Sequence, residues 1–178
     1  DMTIETLKLF GIQIETNASG YRIPGQQTYC SPLQAEAEGD WSNAAFYLAL
    51  GALRGPVTCK GLRSDTRQAD DAVREVLERF GAEGKQNEGI TVKSGHLHGI
   101  EIDAAEMPDL VPILSVVAAA AEGTTRIYHA ERLRMKESDR LAAMCDGLNR
   151  VGIRAEEQPD GLIIYGKGRG PTGETAPV

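Results

Sequence analysis

The chain has 178 residues, of which 41% are hydrophobic and 25% are charged, and it carries a formal net charge of −7. This composition is typical of a folded globular protein of one or two small domains. The negative net charge argues against a nucleic-acid groove, because phosphate backbones require a basic face. An anionic ligand would therefore need a local cluster of Lys and Arg.

The cysteines and the apolar runs bound the class of protein further. Cys30, Cys59 and Cys145 are widely spaced and form no CxxC pair, so we expect no disulfide framework, no metal site and a reducing, cytoplasmic location. The longest apolar run, Leu110 to Ala121, is shorter than the roughly 20 residues that span a bilayer, and we expect no membrane segment. Because the chain begins with Asp1 rather than Met, we expect a fragment of a longer protein.

A pattern that recurs at a period of about 70 residues organises the chain. In each copy an amphipathic helix ends in an apolar residue plus Gly, and two strands joined by a turn follow. The helix ends are Phe10-Gly11, Phe80-Gly81 and Val151-Gly152. In the two later copies a second helix, apolar on nearly every side, precedes this segment, at residues 42–53 and 110–122. The unit therefore reads β-α-β-α-β-β, with one buried helix and one surface helix.

The first copy is incomplete. Residues 1–25 carry only the second half of such a unit, so the sequence predicts about two and a half units. The stretch from Pro24 to Gly39 is rich in Pro, Gln and Gly, which is typical of a linker. We therefore predict a boundary near Glu38.

Three motifs, in order along the chain, resemble those of the 5-enolpyruvylshikimate-3-phosphate synthases. Residues 133–140 read L-R-M-K-E-S-D-R and resemble the family's R-x-K-E-(S/T)-D-R signature. Residues 39–48 resemble its G-D-x-S-S-A-x-(Y/F)-(Y/F)-L, and residues 107–109 its (I/M)-P-D. The resemblance implies an α/β (α+β) enolpyruvyl transferase fold, with two lobes of three β-α-β-α-β-β units each. Residues 1–38 would then be the end of one lobe plus a linker, and residues 39–178 two units of the other.

The resemblance also implies an activity for the longer protein. In this family the enolpyruvyl group of phosphoenolpyruvate is transferred to the 5-hydroxyl of shikimate 3-phosphate and phosphate is released, a step of aromatic amino acid biosynthesis. These two small molecules are the implied partners, no cofactor is implied, and we expect the full-length enzyme to be a monomer. The family's N-D-H-R segment does not occur in this chain, so we expect the chain alone to be inactive.

Asp109 is the first candidate site residue. It stands just before an apolar helix, where its residue type and position alone favour an ordinary N-cap. The resemblance implies a different role, in which Asp109 binds substrate and accepts the proton of the attacking hydroxyl. Both interpretations stay open at the level of the sequence.

Lys136, Glu137 and Arg140 form the second candidate group. Their spacing alone favours a solvated charge cluster ahead of a helix that Ser138 or Asp139 caps. By the resemblance, Glu137 would donate a proton to C3 of phosphoenolpyruvate, and Lys136 would contact substrate oxygens and assist proton transfer. Arg140 would grip phosphoenolpyruvate, a task for which a guanidinium is suited because its fork matches a carboxylate or phosphate.

Two departures and two rival functions limit the transfer of roles. Arg132 aligns with a family Asn that contacts the shikimate phosphate, so its role is left open, and Asn43 replaces the second Ser of the family's S-S pair. The first rival is the sister enzyme that acts on UDP-N-acetylglucosamine, whose usual pattern lacks the K-E-S-D-R run. The second is a noncatalytic binding module that keeps the fold without the chemistry.

Overall fold

The computed structural model describes residues 2–168, so the last ten residues of the predicted 39–178 segment lie outside the described part. The described chain divides into two compact units. The smaller contains the residues up to Glu38 together with Asp65–Gln68, and the larger contains Gly39–Ser64 and the residues from Ala69 on. The assignment of these units to two lobes of a longer protein stays a prediction.

The smaller unit has the predicted half repeat. Its helix α1 (Met2–Leu9) is followed by Gly11 in the left-handed region, with φ of 79°, which favours a residue without a Cβ. Strands β1 (Glu15–Asn17) and β2 (Gly20–Arg22) then pair as an antiparallel hairpin. Helix, terminal Gly and hairpin therefore follow the order that the sequence predicts.

The larger unit contains two sheets, and each sheet carries helices. The first has the strand order β3-β5-β4 and is antiparallel; the second has the order β6-β7-β9-β8, in which only β6 and β7 run parallel. The elements in chain order are α2 (Trp41–Arg54), β3 (Val57–Cys59), α3 (Val73–Phe80), β4 (Glu83–Gln86), β5 (Ile90–Lys93), β6 (Glu101–Asp103), α4 (Val111–Ala120), β7 (Glu122–Tyr128), α5 (Arg140–Arg150), β8 (Ala155–Gln158) and β9 (Gly161–Lys167).

The second half of this unit matches the predicted repeat, whereas the first half does not match it completely. From β6 to β9 the order is β-α-β-α-β-β, as expected. The first half reads α-β-α-β-β, because no strand precedes α2 between β2 and Trp41 in the described residues. A physical reason is the composition of residues 24–39, where Pro, Gly and Gln disfavour a paired strand.

Helix α4 confirms the prediction of a buried helix, and α2 corrects it. Most of α4 is buried, including Leu114 and the polar Ser115, whose hydroxyl donates to the Val111 carbonyl. On α2, in contrast, Phe46, Tyr47 and Leu50 are 53%, 61% and 49% exposed. The expectation that residues 42–53 are enclosed on all sides is therefore wrong, since among residues 2–168 the neighbours of α2 cover the opposite face of the helix.

A continuous core joins the two halves of the larger unit. Trp41 and Leu48 of α2, Phe80 of α3, Leu114 of α4 and Leu141 of α5 are fully buried members of the same cluster. Burying side chains of this size is worth about 1.5–3 kcal/mol each relative to exposure. The helices are thereby packed against the sheets in a single core. None of the helices in the described residues has the length and hydropathy that a bilayer crossing requires.

Candidate functional site

The two predicted site segments follow neighbouring parallel strands. Asp109 lies in a 3-10 turn, Pro108–Leu110, between β6 and α4, and Lys136 follows a second 3-10 turn, Glu131–Met135, after β7. Strands β6 and β7 pair in parallel, with Ile102 opposite Ile127. Because the carboxyl ends of neighbouring parallel strands lie at the same edge of a sheet, the loops that follow them meet there.

Asp109 is an ion-pair partner of two cations and does not cap α4. Its Oδ1 atom lies 3.2 Å from Nζ of Lys136 and accepts a hydrogen bond of 3.1 Å from Nη1 of Arg140. No side-chain hydrogen bond caps the start of α4. The N-cap interpretation of Asp109 is therefore wrong, and its carboxylate is directed toward Lys136 and Arg140.

Glu137 completes the cluster from the solvent side. Its side chain is 81% exposed, and its Oε2 accepts a hydrogen bond of 2.9 Å from Nη2 of Arg140. Its own backbone N–H, then Arg140 and finally Lys136 lower the pKa of this carboxyl below its usual value. Glu137 therefore stands as an ionised carboxylate at neutral pH in this arrangement. Two carboxylates and two cations therefore meet here, which brings together the four residues that the resemblance selected, and their chemical roles stay predictions.

Arg140 is positioned by a helix cap. It is the first residue of α5, and the preceding Asp139 accepts a hydrogen bond of 3.0 Å from the Ala142 N–H. A carboxylate at this position satisfies a free backbone donor and is favoured by the helix dipole. Of the two caps that the sequence allowed, Asp139 is the one used. From this first turn the guanidinium of Arg140 lies between Asp109 and Glu137 and donates to both.

Sequence reasoning missed an acidic group next to this cluster. Asp70, in the 3-10 turn Ala69–Ala72, accepts a hydrogen bond from the hydroxyl of Ser42 on α2. Burial raises the pKa of Asp70, the Ser42 hydrogen bond opposes that rise, and the charges of Asp109 and Asp40 add to it. The signal available in the sequence was the motif at residues 39–48, because it contains Ser42, the hydrogen-bond partner of Asp70.

The candidate site is an open charged surface. Two concavities of about 340 and 350 Å³ lie elsewhere on the larger unit; one is lined by Arg74 and Lys85 and the other by Leu50 and His96, and neither contains any of the four site residues. Carboxylates and cations suit acid–base chemistry on anions better than the binding of an apolar ligand.

Within residues 2–168, no group of three His, Cys, Asp or Glu side chains has the geometry to hold a metal ion. Arg132 is exposed on its 3-10 turn.

Comparison with solved structures places the fold. The chain is similar to the EPSP synthase of Acinetobacter baumannii, with a TM-score of 0.79 and 30% identity, over 95% of this chain and 41% of that one. It is also similar in fold to the enolpyruvyl transferase NikO of Streptomyces tendae, with a TM-score of 0.67 and 18% identity, over 93% of this chain and 39% of that one. The enolpyruvyl transferase fold expected from the sequence is thus confirmed.

Comparison with known sequences identifies the family. A protein of Clostridium acetobutylicum named 3-phosphoshikimate 1-carboxyvinyltransferase is 47% identical over 175 residues, which are 98% of this chain and 40% of that protein. A protein of the same name from Clostridium perfringens is 43% identical over 171 residues, again 40% of its length. This chain thus spans about two fifths of the length of these relatives. The family model described as EPSP synthase (3-phosphoshikimate 1-carboxyvinyltransferase) matches residues 1–174, and the chain belongs to that family.

Proposed function

We propose that the longer protein containing this chain transfers the enolpyruvyl group of phosphoenolpyruvate to the 5-hydroxyl of shikimate 3-phosphate. The observation that carries the proposal is the convergence of Lys136 and Arg140 on one oxygen of Asp109, with Glu137 bound to the same guanidinium. Both substrates are anions, and the site presents two cations beside two carboxylates. That combination can bind phosphate or carboxylate groups and also move protons.

The reaction requires balanced proton transfers. The substrate hydroxyl attacks C2 of phosphoenolpyruvate and loses its proton, while C3 gains one and becomes a methyl group. The tetrahedral intermediate then loses phosphate from C2 and a proton from C3, which restores the double bond. We assign the hydroxyl proton to Asp109, because its carboxylate is an acceptor held in place by two cations. Lys136 and Arg140 would neutralise the phosphate and carboxylate groups as they react.

Glu137 can donate a proton only after its surroundings change. In the observed arrangement hydrogen bonds from its own N–H and from Arg140 lower the pKa of the Glu137 carboxyl. A bound substrate anion would attract Arg140 and Lys136 and would place negative charge near Glu137. Both effects favour the protonated carboxyl. We therefore propose that substrate binding prepares Glu137 as the acid that protonates C3, with Lys136 assisting.

The test is phosphate release from shikimate 3-phosphate plus phosphoenolpyruvate, measured on the longer protein, on its Glu137→Gln variant and on this chain alone. Glutamine keeps the size and a hydrogen-bond acceptor but removes the transferable proton, so turnover should fall by roughly two to four powers of ten. Glu156→Gln is the matched control, because Glu156 pairs with Arg154 at the surface. Undiminished turnover in Glu137→Gln would remove this residue from the mechanism, and this chain alone should be inactive.

The same assay separates the rival functions. Replacing shikimate 3-phosphate by UDP-N-acetylglucosamine should give no phosphate release, and release with that acceptor would support the sister enzyme instead. Binding of both shikimate-pathway substrates without any turnover would identify a noncatalytic module. We further propose that the longer protein acts as a monomer in the cytoplasm, without nucleic acid or cofactor. Light scattering of the purified longer protein and fractionation of its host cells test the monomeric state and the location.

A further inference from the structure

The segment that carries Lys136 and Glu137 needs support from outside the site. Residues 136–139 have no regular structure and connect the 3-10 turn Glu131–Met135 to α5. Within residues 2–168, the side chain of Lys136 pairs with Asp109 and that of Glu137 pairs with Arg140. These are the ion pairs that a bound anion would disrupt. Groups that keep the segment in shape during binding must therefore lie elsewhere.

Arg134 makes the contacts that meet this need. Its Nε donates to the Pro159 carbonyl at 2.9 Å and its Nη2 to the Gln158 carbonyl at 2.6 Å. Its Nη1 donates to Asp139 Oδ2 at 2.8 Å and to Glu157 Oε1 at 2.6 Å. The side chain is 27% exposed, so these bonds are partly shielded from water. All three guanidinium nitrogens are thus engaged.

The partners of Arg134 connect the segment to the sheet. Glu157 and Gln158 belong to β8, which pairs with β9, and β9 pairs in turn with the central strand β7. Arg134 stands immediately before the 3-10 turn ends, and Asp139 stands at the start of α5. The contact between them closes residues 135–138 into a loop, and Arg134 fixes that loop to the β8-β9 hairpin.

The cap of α5 and the contact with Arg134 use the same carboxylate, that of Asp139. Asp139 uses Oδ1 for the Ala142 N–H and Oδ2 for Arg134, so each carboxylate oxygen has its own donor. Lysine could not replace the guanidinium, because a single ammonium cannot reach two carbonyls and two carboxylates that surround a planar fork. An asparagine at position 139 could still cap the helix but would have only one acceptor oxygen.

We propose that Arg134 is a positioning residue, which holds residues 136–139 so that Lys136 and Glu137 remain at the site while their ion pairs with Asp109 and Arg140 are exchanged for substrate. The structural part of this proposal, the order of residues 136–139, concerns this chain alone. The catalytic part of the proposal rests on the proposed function, because it assumes that Lys136 and Glu137 act on the substrates.

The first experiment measures backbone ¹⁵N order parameters of this chain and of its Arg134→Lys variant. In the unsubstituted chain residues 136–139 should have the values of about 0.85 that are typical of rigid backbone, and in Arg134→Lys they should fall below about 0.6. Strands β7 and β9 should keep their values. Arg154→Lys is the matched control on the same hairpin, because Arg154 pairs with Glu156 and lies over the Tyr165 ring; it should leave residues 136–139 unchanged.

The result that overturns the proposal is a segment 136–139 that is equally ordered in both proteins, or already mobile in the unsubstituted chain. A loss of order spread evenly over the sheet would also overturn it, since that would indicate a merely structural role. If Arg134→Lys does not fold, Asp139→Asn serves instead, because it keeps a capping oxygen and loses the ion pair. It should loosen the same four residues, and unchanged order in that variant contradicts the proposal.

The second experiment measures kcat and KM of the longer protein with Arg134→Lys. We expect kcat to fall by about a hundredfold, the order of effect that misplacement by about 1 Å produces, and KM to change much less. A change in KM alone would contradict the positioning role. Absence of synthase turnover in the unsubstituted longer protein would instead refute the proposed function, and the order parameters would then decide the role of Arg134.

Discussion

Lys136 and Asp109 come from different loops, yet Nζ of Lys136 lies 3.2 Å from Oδ1 of Asp109. Arg140 reaches the same oxygen at 3.1 Å, so one carboxylate oxygen faces two cations. This arrangement makes Asp109 a competitor of any anion that binds Lys136 and Arg140. Removing the charge of Asp109 should therefore change the affinity of this chain for anions.

Asp109→Asn should strengthen the binding of inorganic phosphate to this chain. The substitution removes the negative charge that occupies Lys136 and Arg140, and exposed ion pairs are worth about 0.2–1 kcal/mol, so the affinity should rise by up to about fivefold. The gain should decline at high salt, where such charges are screened. Titration followed by NMR measures it, with Asp146→Asn as control, because Asp146 pairs with Arg150 along α5. Equal or weaker phosphate binding would show that Asp109 does not compete.

Asp70→Asn should stabilise the chain at neutral pH. Burial is the main cause of the raised pKa of Asp70, so its contribution to stability is present below the pKa of the unfolded chain and is lost as pH rises through the folded value. Asparagine carries no charge and can still accept the Ser42 hydrogen bond. The expected gain at pH 7 is within about 0.5 kcal/mol, and it should vanish below about pH 3.9.

Thermal unfolding of this variant from pH 3 to pH 8 provides the measurement. Asp71→Asn is the control, since it removes an ion pair with Arg74 and should not raise stability. A gain in Asp70→Asn that is the same at every pH would mean that the charge of Asp70 is not its cause.

Two leucines of α2 should respond very differently to substitution by Ala. Leu48 is fully buried, whereas Leu50 is 49% exposed on the outer, apolar face of the helix. Leu48→Ala should reduce the free energy of unfolding by about 2–5 kcal/mol, because it removes buried methyl groups and leaves a cavity. Leu50→Ala should change it by less than about 1 kcal/mol. Urea unfolding of dilute samples measures both, and equal losses would show that the outer face of α2 is covered in solution.

Two glycines provide a test of close packing. A Cβ at Gly161 would lie 1.8 Å from the Ile127 carbonyl oxygen, whereas a Cβ at Gly147 on α5 would meet nothing within 4 Å. Gly161→Ala should therefore force β9 away from β7 and destabilise the larger unit by more than about 1 kcal/mol. Gly147→Ala should stabilise it by about 0.5–1 kcal/mol, because Ala favours a helix. Thermal unfolding compares them, and a neutral Gly161→Ala would contradict the observed approach of the strands.

Local patterns in the sequence predicted the local structure well. The period of about 70 residues and the Gly residues at helix ends predicted α1, α3 and α5 with the hairpins that follow them. The motif at residues 133–140 identified Lys136, Glu137 and Arg140, and Asp139 as a cap was one of two allowed choices. These features depend on side-chain periodicity and on backbone hydrogen bonds within a few residues, so neighbouring residues are sufficient to determine them.

Only the tertiary structure decided which distant groups meet. The role of Asp109 as an ion-pair partner, rather than a helix cap, follows from the parallel pairing of β6 with β7, which places residues 31 apart in contact. Arg134 with Glu157 and Ser42 with Asp70 are two further pairs that are distant in the sequence and that the fold brings into contact. The composition of α2 predicted burial on all sides, but burial depends on which neighbours are present, and those of this chain cover one face. A sequence determines what each residue can do chemically, whereas packing determines which partner it has.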